Sequence, residues 1–100
     1  MAHVDLSAVA RQQTDGQATI DATLANNMIS LPGWVNEVHL YINDATNDGS
    51  FSMAGTASGR PLPKQTWVKV WEQQAGNPVQ KAFIWVASGS GSQTLHYLLF

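Results

Sequence analysis

The sequence predicts an all-β fold: an antiparallel β-sandwich, with a small barrel as the alternative closure, spanning 1–100 as one domain. Three observations lead there. The segment "WVNEVHLYIN" alternates apolar and polar residues with a period of two and is rich in β-branched and aromatic side chains, as a half-buried strand requires. Similar runs recur about every 8–12 residues, with Gly, Asn and Pro turns between them, the spacing of sandwiches and small barrels. Finally, a chain of 100 residues buries roughly 60–70% of its unfolded surface, enough for one core.

The elements follow in order. "VDLSAVARQQ" places Val4, Leu6 and Ala8 in alternation, although Leu6, Val9 and Ala10 also suit a helix capped by Asp5. "ATIDATLA" alternates Ile20, Ala22 and Leu24 against Thr19, Asp21 and Thr23. Both are read as strands. In "WVNEVHLYIN", Trp34, Asn36, Val38, Leu40 and Ile42 share one face, and Val35, Glu37, His39 and Tyr41 the other. "NDATNDG" reads as a turn, because Asp48-Gly49 accepts the positive φ of hairpin turns, and "SFSMAG" resumes the alternation. These two runs are expected to pair as a hairpin. "TASGRPLPK" is expected to be a connection, since two close prolines exclude a central strand. "TWVKVWEQQ" is the next strand and "AGNP" a turn. "VQKAFIWVA" is a near-continuous apolar strand for the middle of a sheet. "SGSGSQ" is a loop and "TLHYLLF" a last strand, with Phe100 tied into the fold or into a partner. No repeat of solenoid or propeller period is present.

Composition excludes several functions. There is no cysteine, hence neither a disulfide framework nor a zinc-thiolate site. Net charge is -2 with 12% charged residues, and the five basic side chains are scattered, so no nucleic-acid partner is expected. No apolar run approaches the roughly 18–20 residues of a membrane span. "MAHVDLSAVARQQTDGQ" lacks the basic flank and apolar stretch of a secretory signal. The expected compartment is therefore the cytoplasm, with release by another route left open. Solubility must rest on Asn, Gln, Ser and Thr.

Catalytic signatures are missing. "SGSGS" at 88–92 has neither the spacing of a nucleophile elbow nor the Gly-Lys of a phosphate loop. None of the seven acids lies in an apolar run where burial would raise its pKa, as a general acid requires. No enzyme is expected. His39 and His96 could meet if their strands pair, and Glu37 could join them around zinc, but the spacing does not ask for it.

Four oxygen-bearing side chains, Asn43, Asp44, Asn47 and Asp48, crowd the turn in "YINDATNDGSFSMAG". Such hard ligands suit calcium, and the same residues suit any tight turn. Residues 41–55 resemble the C-terminal hairpin of the PA-I-type calcium-dependent galactose-binding lectins of bacteria. There, an aromatic–Asn–Asp start leads through an Asn-rich loop into Gly-Ser-Phe-Ser. The resemblance implies Ca²⁺ ligation by Asp44, Asn47 and Asp48, with the ion holding sugar hydroxyls. This loop is shorter than the family's, and Asp48 replaces one asparagine. The family's sugar-binding His and last calcium ligand have no counterpart here.

Trp67, Lys69 and Trp71 alternate with Val68 and Val70, so a regular strand sets both indoles on one face, about 13 Å apart. Open to solvent, they form a platform for pyranose rings; covered, they belong to the core or to an interface. Trp34, after "LPG", is expected to be the most exposed tryptophan. The ligand-binding set is thus Trp34, Trp67, Trp71, Lys69, Asn43, Asp44, Asn47, Asp48 and His39, with glycans or glycoconjugates as partners. A chain with so few charges and exposed aromatics is expected to form a homodimer or higher homo-oligomer. The alternative is a structural module of a phage or other complex, its tryptophans and C-terminus buried between chains. A membrane-active toxin ranks below both.

Overall fold

The computed structural model describes residues 2–53, 59–72 and 83–100. Within them the strands are β1 (Ala2–Asp5), β2 (Thr14–Ile20), β3 (Asn27–Ser30), β4 (Glu37–Asn43), β5 (Gly49–Ser52), β6 (Arg60–Leu62), β7 (Val68–Glu72), β8 (Phe83–Ala87) and β9 (Gln93–Leu99). A single 3-10 turn, Leu24–Asn26, precedes β3. The strands form two sheets, of order β1-β3-β8-β5-β6 and β2-β9-β4-β7. Among the described residues every pairing of these strands is antiparallel except β1 with β3, and an isolated parallel bridge joins Ile42 to Lys64. The sheets pack face to face without closing into a barrel, so the sandwich is the fold.

Alternation explains the core. Val38, Leu40 and Ile42 of β4 and Leu95, Tyr97 and Leu99 of β9 point inward from the four-stranded sheet. They meet Ile29, Phe51, Ile84 and Val86 from the five-stranded one, all buried in one cluster. Removing such a side chain, as in Leu40→Ala, costs about 2–5 kcal/mol where the cavity cannot collapse. β8 is indeed the middle strand of its sheet, as its apolar run anticipates, although residues 79–82 and the "AGNP" turn lie outside the described residues.

The structure corrects several expectations. β4 and β5 are not a hairpin: β4 pairs with β7 and β9, while β5 pairs with β6 and β8. The intervening loop carries the chain from one sheet to the other. "TASGRPLPK" contains β6, whose Pro61 is tolerated because β6 is an edge strand. The early strands also shift. β1 stops at Asp5, whose carboxylate accepts the Ser7 N–H and turns the chain out of the sheet. β2 lies at "TDGQATI", ahead of the Asp21 turn, and "NMIS" adds β3, which was not anticipated. β4 begins at Glu37, after a turn at 33–34 that breaks the alternation, so Val35 is fully buried on the face assigned to polar residues.

The loops sort to two ends of the sandwich. Residues 21–26, 43–48, 63–67 and 88–92 gather at one end, and residues 6–13 and 31–36 at the other. Phe100 is tied in: its carbonyl oxygen accepts the N–H groups of Asn36 and Glu37 at 2.7 and 3.1 Å, and its own N–H donates to Glu37 at 3.0 Å. Among the described residues no helix is long and apolar enough to cross a membrane.

Candidate functional site

The outer face of the four-stranded sheet is built by alternation. Residues facing away from the core on β4 are Glu37, His39, Tyr41 and Asn43; their neighbours on β9 are Thr94, His96 and Leu98. Here the rings meet. Tyr41 packs against Trp67 with centroids 5.3 Å apart and planes tilted by 39°, and against the edge of His96 at 5.8 Å. Trp67 is 47% exposed, the only tryptophan that is more open than half-buried. Asn43 and Thr94 sit opposite each other one step above this row, an amide and a hydroxyl beside the rings. Three rings and neutral hydrogen-bonding groups thus share one outer face, with Trp67 and Asn43 exposed and the others half-buried.

Trp71 does not join them. The β4–β7 register runs Leu40↔Val68, His39↔Lys69 and then Val38↔Trp71, so Val70 is an extra residue in a β-bulge. The bulge reverses the alternation: Lys69 stays outside with His39, while Trp71 turns to the side of fully buried Val38 and packs on the core. The expected pair of indoles on one face is therefore not formed. Trp34 is also diverted. It is half-buried against the core, and its Nε1 donates to the Val9 carbonyl at 2.7 Å, which pins the β1–β2 connection at the far end.

Lower on the same face lies a charged cluster. Lys69 Nζ donates to Glu72 Oε2 at 2.9 Å and stands 3.6 Å from Glu37 Oε1. The Glu72 hydrogen bond, then its charge, hold the ammonium above the usual lysine range. His39 stacks edge-on with Phe100 at 5.1 Å, and its Nε2 is 3.9 Å from Glu37 Oε2. That nitrogen is the one buried side-chain nitrogen or oxygen without a hydrogen-bond partner among the described residues. His39 and His96 are not opposed, since His39 faces Leu98 and Tyr41 faces His96.

The Asn/Asp loop has another task. Asp44 Oδ1 accepts the N–H groups of Thr46 and Asn47 at 2.7 and 3.1 Å, and Oδ2 accepts the Gln93 amide at 2.9 Å. These bonds, with the Thr46 N–H the largest influence, hold the carboxyl below its usual range. Gln93 is buried and clamps two loops: Nε2 also donates to the Asn47 carbonyl at 2.9 Å, and Oε1 accepts the Gly89 N–H at 3.0 Å. Asp48 Oδ1 accepts the Lys64 N–H at 2.9 Å. With Gln65 donating to the Ile42 carbonyl at 2.8 Å and turning at φ 52°, Asp48 thereby holds the 63–67 crossover that delivers Trp67 to Tyr41.

This donor set is already engaged within the fold. The Asp44 oxygens accept three N–H groups, one of them from the Gln93 side-chain amide. Among the described residues no group of three His, Asp or Glu side chains could hold a metal. Gln93 and Asn27 are the functional supports that sequence reading missed. Asn27 is buried and its Nδ2 lies within hydrogen-bond distance of the carbonyls of Asp21, Thr23 and Val86, joining the 21–26 loop to β8. Neither stands out in the sequence: Asn27 follows a second asparagine, Asn26, and Gln93 closes the polar run "SGSGSQ". No protein-family model, no curated protein and no solved structure matches this chain.

Proposed function

We propose that this protein is a non-catalytic carbohydrate-binding protein whose ligand lies on the outer face of the four-stranded sheet, against Trp67, Tyr41 and His96. One observation carries this reading: a row of three touching rings on the outer face, Trp67 exposed and Tyr41 and His96 half-buried, with Asn43 and Thr94 beside it. The C–H face of a pyranose stacks on an indole or phenol ring, and its hydroxyls need amide and hydroxyl partners without a strong charge. Trp67 and Tyr41 stack, His96 and Asn43 bond hydroxyls, and Asp48 acts at one remove by holding the crossover that bears Trp67. Binding of this kind requires no calcium, and galactose is one candidate among neutral sugars. The protein acts in the cytoplasm or after release.

The carboxyls favour binding over catalysis. Hydrogen bonds hold the carboxyls of Asp5, Asp21 and Asp44 below the ordinary value, whereas a general acid must move up. A glycan array tests the proposal. The wild type is expected to bind a subset of neutral glycans, and Trp67→Ala to weaken that binding by at least about tenfold, equivalent to about 1.4 kcal/mol. Silence across neutral and acidic glycans would remove the reading.

A second reading has its own observation. On the opposite sheet, Phe83 (41% exposed) packs beside Trp85 at 5.9 Å, so aromatics are exposed on both outer faces. A subunit covered from two sides in an assembly would show this. Growth into rings or filaments on sedimentation would favour it.

A further inference from the structure

We propose that two copies of this chain join along β2, antiparallel and centred on Gln17, to make one continuous eight-stranded sheet. The pairing stands on the sheet edge itself and not on the carbohydrate reading.

Each sheet ends in open strands, and three of the four edges carry features that discourage pairing. β6 has three residues, one of them Pro61. β7 is bent by the Val70 bulge and carries Lys69. β1 is four residues long. β2 is different: seven residues, "TDGQATI", paired with β9 from Thr14 to Ile20 without a register shift. It contains neither proline nor a basic residue. Among the described residues its outer side has neither a strand beside it nor a loop backbone bonded to it. Every second N–H and C=O along it is therefore left without a backbone partner from those residues, a template for another strand.

The occupant is a second copy because the strand complements itself. In an antiparallel pair centred on Gln17, residues whose numbers sum to 34 face each other. Thr14 then meets Ile20 and the whole strand is used, with no overhang. Gly16 meets Ala18, two small residues that let the backbones approach. Asp15, the only charged residue of the strand, meets Thr19 instead of another Asp15. A register centred on Asp15 would oppose two carboxylates, which is destabilising. The two-fold axis of such a pair is perpendicular to the sheet, so both ring rows face the same way. They are five strand spacings apart, about 24 Å at roughly 4.8 Å each.

Sedimentation velocity at about 100 μM tests the pairing. The wild type is expected to sediment as a dimer. Gln17→Glu places two carboxylates face to face, with Asp15 of the other copy diagonal to each, and is expected to sediment as a monomer. A fluorophore on the Gln17→Glu chain then reports rescue: adding equimolar unlabelled Gln17→Lys is expected to return the label to the dimer position. Rescue also shows that the Gln17→Glu chain is folded. A monomeric wild type, a Gln17→Glu chain as dimeric as wild type, or no rescue by Gln17→Lys would each overturn the proposal.

Discussion

Three aspartates act alike. Asp5 accepts the N–H of Ser7, Asp21 that of Thr23 and Asp44 that of Thr46, each two residues on, at 3.0, 2.9 and 2.7 Å. The sequence signal is plain in retrospect: "DLS", "DAT" and "DAT", an aspartate followed two positions later by a hydroxyl residue. Each carboxyl is held below its ordinary value, first by the Ser7 hydroxyl for Asp5 and by the backbone N–H of Thr23 or Thr46 for the others. A depressed carboxyl stabilises the folded state fully above its unfolded-chain value, near 3.9. That contribution disappears as pH falls through the lower folded value. The urea midpoint is therefore expected to drop as pH is lowered below about 4, and Asp44→Asn to show a shallower acid loss. An equally steep loss in Asp44→Asn would show that the turn bonds do not couple to folding. These residues were legible as turn formers, but their partners were not, because Gln93 lies 49 positions from Asp44.

At the scale of elements, local pattern located strands and failed to assign their partners. Of the runs read as strands, "WVNEVHLYIN" forms one only from Glu37 to Asn43, "VQKAFIWVA" over Phe83–Ala87 among the described residues, and "TLHYLLF" within Gln93–Leu99. Whether β4 pairs with β5 depends on a loop closed by the distant Gln93 amide, and no window around residues 41–55 contains that information. The Val70 bulge is similar. Alternation in "TWVKVWE" is intact on paper, yet the extra residue sends Trp71 inward, where Val68 and Val70 also pack on the core. Covering a large ring favours the bulge over the regular strand. The loops at the ring-bearing end depend on close approach. A Cβ on Gly89 would come 1.8 Å from the Asp48 carbonyl oxygen, a backbone atom that cannot step aside. Gly89→Ala is thus expected to lower stability by about 1–3 kcal/mol, read as a lower urea midpoint. An unchanged midpoint would mean that the 43–48 and 88–92 loops are not packed together as described.

For the molecule as a whole, the two sheets bury one apolar core and divide the four tryptophans. Trp34 and Trp71 are half-buried against that core, Trp85 is half-buried beside Phe83 on the five-stranded sheet, and Trp67 is left most open beside Tyr41. Side-chain chemistry suggested a pair of indoles on one face, but only the fold shows that Trp67 meets Tyr41 and His96 there instead of Trp71. That row, with Trp67 as its exposed member, is the basis of the functional reading, and it isolates the response of a single fluorophore. The direct measurement is tryptophan emission of the wild type and of Trp67→Phe, titrated with neutral monosaccharides in the presence and absence of EDTA. We expect a saturable change in the wild type that EDTA does not alter and that Trp67→Phe loses. An unchanged wild-type spectrum with every sugar, or the full response in Trp67→Phe, would contradict it.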